Sequence, residues 1–364
     1  MTKHCYIHIP FCDNICSYCD FCKMYYNEKL VDHYLESLEK EIKSIYQNEE
    51  LETIYIGGGT PSSLTTKQLK KLFSILSILK KKSKIEFTIE GNIESTTEEK
   101  LRLYKENGIN RLSFGIESTN SKNLEYLERS FSKEQTEKVI QSARKLGFHN
   151  INLDLIYAIP TENIDILKED INYLLSLKPE HISTYSLMIE ENTKLKIKNE
   201  KNIDEDLDEE MYQVICKTLK ENDYIHYEIS NFCKEGFQSR HNLCYWNNKE
   251  YYGFGLGASS YQNNKRITNT RSLNEYKREM YQKEIENLTE KDKIVYQIIL
   301  NLRTKKGVDL SVFQKEYQKD LKELYNYQKL VDDNYLKEEE NHLFIPENKW
   351  YISNEIIVKL LGCD

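Results

Sequence analysis

The first 230 residues alternate between short β-forming runs and longer amphipathic stretches. In the first amphipathic stretch Val31, Leu35, Leu38 and Ile42 share one apolar face, as in a helix that packs against a sheet. This alternation predicts an α/β fold with parallel strands and crossover helices, in about six βα units. The predicted strands are YIHIP, TIYIGG, KIEFTIE, RLSFGIES, INLDLIYAIP and HISTYSLM.

Six such units are typical of a partial (β/α)6 barrel of the TIM type, which is left incompletely closed. Ligands of such barrels bind at the carboxyl ends of the strands. A cysteine-rich loop follows the first predicted strand and a glycine loop follows the second. Glu90 ends the third strand, Glu117 ends the fourth and Asp154 lies in the fifth. We therefore expect these polar groups to meet at one rim.

Two further regions follow residues 1–230. Residues 231–270 are rich in glycine and aromatic residues, show little helical period and indicate a connecting, covering segment. Residues 271–364 contain helical stretches and a hairpin, which predicts a small winged-helix-like α+β domain at the C-terminus. A net charge of -8 argues against nucleic acid as its partner, so a packing or interaction role is favoured over DNA binding.

The composition indicates a cytoplasmic protein. No run of eighteen apolar residues predicts a transmembrane segment, and the N-terminus lacks the features of a signal peptide. The chain has nine cysteines, and in a reducing compartment such a content favours metal binding or thiol chemistry over disulfides.

Cys12, Cys16, Cys19 and Cys22 lie within one short loop. A structural zinc site usually combines two CxxC pairs across a longer spacer, and here it would have to recruit Cys233 and Cys244 from far along the chain. The alternative is a [4Fe-4S] cluster held by Cys12, Cys16 and Cys19, which leaves one iron open for a small chelating molecule. Cys22 could instead supply a fourth sulfur, so its role stays open.

The Cys-x3-Cys-x2-Cys spacing resembles that of the radical S-adenosylmethionine superfamily, and the glycine loop after the second strand strengthens the resemblance. The segments YIHIPFC, IYIGGGTPSSL, NLDLIYAIP, HISTYSL and HNLCYW follow the order seen in HemN-like proteins. The fold implied is a radical S-adenosylmethionine barrel with a HemN-type C-terminal domain. Phe21 stands where coproporphyrinogen III oxidases of this group carry cysteine and HemW-type haem chaperones carry phenylalanine.

The resemblance therefore implies a haem chaperone that binds a [4Fe-4S] cluster and S-adenosylmethionine and delivers haem to haemoproteins. It also implies a haemoprotein recipient, an electron donor and a homodimer as partners. The alternative is an enzyme that acts on a tetrapyrrole, by oxidative decarboxylation of coproporphyrinogen III or by anaerobic haem degradation. Whether the chain is an enzyme stays open on the sequence.

The resemblance also assigns roles to individual residues. Cys12, Cys16 and Cys19 would hold the cluster, and His241 in HNLCYW would be the axial ligand of haem iron or else a hydrogen-bonding structural residue. Cys244 beside it is favoured as a buried apolar residue rather than a thiolate ligand. The residues expected to contact S-adenosylmethionine are Tyr6, Gly58, Gly59, Thr60, Glu90, Glu117, Arg129 and Asp154.

Several positions depart from the pattern of the resembled group. Glu117 replaces a usual glutamine and adds a negative charge, and Thr161-Glu162 replaces a usual Gly-Gln. Ser259 stands in place of a usual histidine, which removes one candidate haem contact. Porphyrin binding is therefore less securely implied than cluster binding.

Overall fold

The six β-forming runs of the first half lie side by side in a computed structural model, which describes residues 2–362. They form the parallel centre of a nine-stranded sheet with the order β11-β1-β4-β5-β6-β7-β8-β10-β9. The strands up to the end of this sheet are β1 His4–Ile9, β2 Phe11–Cys12, β3 Met24–Tyr25, β4 Leu51–Gly58, β5 Lys81–Asn92, β6 Arg111–Glu117, β7 Ile151–Tyr157, β8 His181–Ser186, β9 Ile225–Glu228, β10 Asn231–Cys233 and β11 Tyr252–Phe254.

Helices connect the parallel strands, and their ends follow local sequence signals. The pattern Ser/Thr-x-x-Gln predicts a helix start with a capping box at Thr65–Gln68 and at Ser132–Gln135, and both capping boxes form. The helices of this half are α1 Glu28–Ile45, α2 Thr66–Leu76, α3 Glu98–Glu106, α4 Ser121–Leu127, α5 Lys133–Lys145, α6 Ile164–Ser176, α7 Lys194–Ile197 and α8 Glu205–Glu221.

The sheet is not closed into a barrel, as expected of a partial (β/α)6 arrangement. β11 pairs in parallel with β1 at one edge, and β9 and β10 are antiparallel at the other. Residues 231–270 thus add a strand near each edge of the sheet, in addition to connecting two regions. Strands of three residues are too short to show the two-residue period, which explains why the sequence indicated only a covering segment.

The same segment contains α9, Arg240–Trp246, and two strands of a separate antiparallel sheet. This sheet has the order β12-β13-β14, with β12 Ser259–Gln262, β13 Lys265–Asn269 and β14 Gln282–Asn287, and α10 Leu273–Lys277 lies between its last two strands. The predicted boundary after residue 230 falls inside the turn between β9 and β10. The division into domains remains a prediction.

The C-terminal region has a helix, a short strand, three helices, a hairpin and a last helix, the order of a winged-helix-like unit, as expected. Its short sheet has the order β15-β17-β16. Its elements are α11 Glu290–Asn301, β15 Val308–Asp309, α12 Leu310–Tyr317, α13 Leu321–Leu324, α14 Gln328–Asp332, β16 Lys337–Glu339, β17 His342–Phe344 and α15 Ser353–Leu361.

One continuous hydrophobic core runs from β1 to α15. A buried carboxylate also ties α1 to the later segment, because Glu41 accepts hydrogen bonds from the Gly255 amide at 2.8 Å, from Asn269 Nδ2 at 2.6 Å and from the hydroxyl of Tyr276 at 2.5 Å. Among the helices of residues 2–362, none combines the length and the apolar character needed to span a bilayer.

Candidate functional site

The cysteine loop is closed at its base by a short pair of parallel strands. β2 and β3 pair Phe11 with Met24 and Cys12 with Tyr25. The Met24 amide donates to the Pro10 carbonyl at 2.7 Å, and the Tyr26 amide donates to the Cys12 carbonyl at 2.8 Å. The segment between β2 and β3 is therefore a closed loop directly after β1. This loop places the thiols at the carboxyl end of the sheet.

Three of the four loop cysteines line one cavity of about 500 Å³ at that end of the sheet, namely Cys12, Cys16 and Cys19. Burial raises the pKa of the Cys12 thiol to about 11, and it also raises the pKa of Cys16 and Cys19. Negative charge on Cys16 or Cys19 raises the Cys12 pKa further. Close thiols that resist ionisation alone become ionised ligands when a metal supplies the compensating charge.

Cys22 is directed elsewhere. It is 8% exposed and is absent from the residues that line the cavity. A Cβ built at Gly257 would lie 2.6 Å from the Cys22 Cβ, and the positive charge of Arg271 lowers the pKa of Cys22 against the effect of burial. The Cys22 carbonyl lies 2.7 Å from His8 Nε2. In this conformation Cys22 packs beneath the loop, which favours the three-cysteine interpretation.

The glycine loop lies directly against the cysteine loop. The Gly59 amide donates to the Ile9 carbonyl and the Thr60 amide donates to the Phe11 carbonyl, both at 2.8 Å. A Cβ at Gly59 would lie 2.8 Å from Cys12 Sγ, so a side chain there would occupy the space that Cys12 uses. Gly58 has a φ of +117° and would meet the His8 ring at 2.7 Å. Both positions therefore require glycine.

Glu90 lies in the cavity wall below the glycine loop. It accepts hydrogen bonds from the Tyr55 hydroxyl at 2.7 Å and from the Gly58 amide at 3.1 Å. Burial raises the pKa of Glu90 to about 7, partly offset by the hydrogen bond from Tyr55. The carboxylate is thus fixed where it can accept a hydrogen bond from an ammonium group held near the glycines.

Arg129 is surrounded by acceptors at the opposite wall. Its side chain is 3% exposed and forms ion pairs at 3.2 Å with both Glu94 and Glu117, and its Nη2 donates to the Gly115 carbonyl at 3.0 Å. Burial raises the pKa of Glu117 to about 7, and Arg129 opposes this shift. Glu117 has a φ of 64°, a strained backbone conformation that turns its side chain into the cavity at a register shift of β6 against β7.

Asp154 lies on the neighbouring strand β7 and also lines the cavity. Asn152 Nδ2, on the same strand, donates to Asp154 Oδ1 at 2.7 Å and to Ser113 Oγ of β6 at 2.8 Å, so the residue that holds the carboxylate is itself tied to the adjacent strand. Burial raises the pKa of Asp154. Its free acceptor capacity faces the cavity together with Glu117, an arrangement suited to a pair of hydroxyl groups.

Tyr6 and His241 are the two predicted site residues that do not line this cavity. The Tyr6 hydroxyl lies 3.0 Å from His8 Nδ1, below the cysteine loop. His241 is 1% exposed, with Nδ1 2.7 Å from Thr53 Oγ1 and Nε2 2.8 Å from the Tyr245 hydroxyl. A ring nitrogen must leave one of these partners before it can bind iron. Haem ligation by His241 therefore stays a prediction, and in this conformation His241 is a hydrogen-bonding residue of the interior.

The alternative zinc ligands are not brought to the cysteine loop. Cys233 lies on β10 and Cys244 on α9, both buried, and neither lines the cavity. Within residues 2–362, no three side chains of His, Cys, Asp or Glu are placed to hold a single metal ion. The assignment of individual ligands therefore remains a prediction.

Two family models match the chain. The first, "Radical SAM superfamily", covers residues 6–174, and the second, "HemN C-terminal domain", covers residues 288–351. A curated "Heme chaperone HemW" of Lactococcus lactis is 36% identical and aligns with 98% of this chain and 96% of its own length. The Bacillus subtilis protein of the same name is 35% identical over 99% of both chains.

The chain belongs to the HemW family.

HemW-family membership explains the two-part organisation of the chain. The radical S-adenosylmethionine match runs from β1 into α6, after five of the six predicted strands, and the HemN C-terminal match lies inside the winged-helix-like region. A solved structure of the Escherichia coli coproporphyrinogen III oxidase HemN has the same fold, with a TM-score of 0.88 over 100% of this chain and 91% of that one, at 19% identity.

The radical S-adenosylmethionine match implies a [4Fe-4S] cluster and S-adenosylmethionine, and the residues present fit both groups. Cys12, Cys16 and Cys19 face one space, and Gly59 leaves room against Cys12. The HemW-family chain therefore has the donor set for a cluster with three protein ligands. Polar groups of both charges lie in the same cavity, as a zwitterionic nucleotide-like ligand requires.

Sequence reasoning missed several residues of the cavity. Ser113 lies on the same face of β6 as Glu117, and alternation along the strand could have identified it. Asn92 lies two residues beyond Glu90 and could have been found in the same way. Glu94 and Tyr18 had no such signal, because they reach Arg129 and Glu117 from loops.

Proposed function

We propose that this HemW-family chain is a haem chaperone that binds a [4Fe-4S] cluster and S-adenosylmethionine at the carboxyl end of its sheet and passes haem to haemoproteins. The observation that carries this proposal is the end-to-end similarity to curated HemW chaperones, which includes both matched domains. We expect the protein to act in the cytoplasm, where thiols remain reduced.

In the proposed site Cys12, Cys16 and Cys19 hold the cluster. A cluster with three protein ligands supplies an open iron that chelates the amino and carboxylate groups of S-adenosylmethionine. Glu90 accepts a hydrogen bond from the ammonium and Arg129 donates to the carboxylate, because each side chain carries the complementary charge.

The remaining polar residues position the nucleoside. Glu117 and Asp154 accept hydrogen bonds from the ribose hydroxyls, since both carboxylates line the same cavity. The bare backbone of Gly58 and Gly59, with Thr60, leaves room for the methionyl group. Tyr6 supports this arrangement from below, through its contact with His8.

Haem binding requires an iron ligand and a flat apolar surface. His241 has the right chemistry for the iron and lies beside Tyr245, whose ring centroid is 5.0 Å from its own. We propose that haem iron takes His241 Nε2 in exchange for its hydrogen bond to the Tyr245 hydroxyl. A haemoprotein recipient, an electron donor and a second copy of the chain complete the proposed set of partners.

The experiment titrates haemin into the anaerobically reconstituted full chain and follows the haem absorption spectrum. We expect one haem per chain, a changed spectrum in His241→Ala and tighter binding in Tyr245→Phe, because the latter frees Nε2. The lost hydrogen bond is worth about 1 kcal/mol, so affinity should rise by about fivefold. Tyr173→Phe, which removes a hydroxyl that donates to the Lys133 carbonyl outside the His241 site, is the matched control.

Two results would count against the proposal. Absence of stoichiometric haem binding by the wild-type chain contradicts the chaperone function. If haem binds but the spectra of His241→Ala and Tyr245→Phe are unchanged, the chaperone function stands and His241 is not the iron ligand.

The second candidate is an enzyme that acts on a tetrapyrrole. The observation that favours it is that the three thiols open onto a cavity with room for a nucleotide-like ligand and further space at its mouth. Phe21 argues against oxidative decarboxylation of coproporphyrinogen III. An anaerobic assay with dithionite, S-adenosylmethionine and each tetrapyrrole decides between the two functions. Formation of 5'-deoxyadenosine together with a modified tetrapyrrole would show that the protein is an enzyme, and absence of both products would exclude this candidate.

A further inference from the structure

Arg111 is the largest charged side chain in the interior of the sheet. It is the first residue of β6, is 2% exposed and ranks among the largest fully buried side chains of the described chain. No residue within 2–362 accepts a hydrogen bond from its buried Nε. A buried guanidinium without an ion-pair partner at hydrogen-bonding distance is costly, so its position needs an explanation.

Arg111 lies directly beneath the cavity. Ser113, Gly115 and Glu117 line the cavity from β6, and side chains two residues apart along a strand share one face. Arg111 is therefore on the cavity face, one layer deeper than Ser113. On the adjacent strand Glu90 pairs in register with Ser113, which places the Glu90 carboxylate one layer above the guanidinium.

The positive charge of Arg111 acts on the two inner carboxylates of the cavity, in addition to burial and hydrogen bonds, which act more strongly. Burial raises the pKa of Glu90, and negative charge on Asp154 raises it further, whereas Arg111 lowers it. Arg111 also lowers the pKa of Asp154 and precedes Arg129 in the size of that effect. Arg129 already pairs with two other carboxylates at the rim, so Arg111 is the cation positioned to serve the deeper pair.

The other ionisable groups whose pKa Arg111 influences are neutral and carry no negative charge. Its positive charge lowers the pKa of His181 and of His241, both of which burial already keeps neutral. The other groups that it influences are Tyr55, Tyr227 and Cys233, whose pKa values burial holds high enough to keep them neutral as well. Glu86, two residues before Thr88, the register partner of Arg111, is also buried, and it accepts hydrogen bonds from the amides of Arg240 and His241. Glu90 and Asp154 are the carboxylates on the cavity side of Arg111.

We infer that Arg111, whose positive charge lies beneath Glu90 and Asp154, is a positioning residue for S-adenosylmethionine that prepares both carboxylates for the ligand without touching it. This inference rests on the proposed function, because it assigns the two carboxylates to the ammonium and ribose of that ligand. Arg111 thus supplies positive charge from a position beneath the cavity, and neither carboxylate is engaged in a direct ion pair with it.

The test measures the dissociation constant of S-adenosylmethionine between pH 6 and pH 9, by calorimetry on the anaerobically reconstituted full chain. In the wild type, protonation of Glu90 as the pH drops through about 7 should weaken binding by more than the simultaneous protonation of Glu117 strengthens it. In Arg111→Gln that midpoint should move up by about half a pH unit, because Arg111 acts on Glu90 more weakly than burial or the Tyr55 hydrogen bond. Binding should then be about twofold weaker at pH 7 and close to wild type at pH 9. A purely structural role would weaken binding equally at every pH.

Two further variants complete the design. Arg144→Gln removes an arginine that pairs with Glu180 outside the cavity and should keep the wild-type profile. Arg111→Lys retains the charge and should keep the wild-type midpoint, so it decides the matter if Arg111→Gln does not fold. An unshifted midpoint in Arg111→Gln, or a raised one in a folded Arg111→Lys protein, overturns the inference. Failure of the wild type to bind S-adenosylmethionine instead overturns the proposed function.

Discussion

Glu117 and Arg129 form a buried ion pair at the mouth of the cavity, with Glu117 Oε1 3.2 Å from Arg129 Nη1. Glu94 holds the same guanidinium from the other side through two contacts of 3.2 Å. Arg129 is the residue expected to bind the carboxylate of S-adenosylmethionine. The ligand therefore competes with two protein carboxylates for one cation, and one of the two, Glu117, stands where the resembled group usually has glutamine.

Glu117→Gln should strengthen the binding of S-adenosylmethionine by about threefold at pH 8, because the neutral amide competes less for Arg129. The gain should vanish at pH 6, since the pKa of Glu117 is raised to about 7 and the wild-type side chain is then already neutral. Calorimetry at the two pH values checks this. Glu98→Gln, which breaks an exposed pair with Arg102, is the control. Weaker binding at pH 8 would show that Glu117 serves the ligand through its charge.

Alanine at Cys12, Cys16 or Cys19 should abolish incorporation of the four-iron cluster, whereas Cys22→Ala should retain it. The physical reason is that only the first three thiols line the cavity, while Cys22 packs against Gly257. Iron and sulfide content after anaerobic reconstitution, together with the electron paramagnetic resonance spectrum, measures the outcome. Loss of the cluster in a folded Cys22→Ala protein would indicate a fourth protein ligand and no open iron.

Gly59→Ala should prevent cluster assembly, since the added Cβ would lie 2.8 Å from Cys12 Sγ and 3.0 Å from two backbone carbonyl oxygens. Gly108→Ala is the matched control. Its φ is +85° and its Cβ would meet nothing within 4 Å, so it should cost about 1 kcal/mol of stability without affecting iron content. Full iron loading in Gly59→Ala would mean that the two loops separate more easily than their contacts indicate.

Glu41 should make stability depend on pH. Burial raises its pKa from 4.5 to about 7, against hydrogen bonds from Tyr276, Gly255 and Asn269. Because the folded pKa exceeds the unfolded one, this contribution is fully present below pH 4.5 and is lost as the pH rises through about 7. It amounts to at most about 3 kcal/mol.

Urea unfolding between pH 4.5 and pH 8 measures this effect. Glu41→Gln should flatten the profile over that range, although its amide group will lower the overall stability by facing hydrogen-bond donors. Glu36→Gln changes an exposed residue of the same helix and should leave the slope unchanged. An equal slope in Glu41→Gln and the wild type would contradict the prediction.

Local signals were sufficient for the parallel half of the fold. All six predicted strands are present, and the predicted helix starts at Thr65 and Ser132 are confirmed by their capping boxes. These features depend on side-chain periodicity and on contacts within one turn of helix, which a sequence displays directly. The short strands β10 and β11, near the two ends of the sheet, depend on pairing with residues far along the chain, so no local pattern predicts them.

The cysteine spacing, the glycine loop and the strand-end carboxylates were sufficient to locate the candidate site and to indicate the family. The sequence could not decide which of the four neighbouring thiols face the cavity. In a loop, the backbone conformation of a single residue determines whether its side chain points to the cavity or to the core. Nor could it show that both nitrogens of His241 are engaged, or that Arg111 lies beneath Glu90. Direction, burial and long-range charge depend on how distant segments pack, and only the tertiary structure specifies that packing.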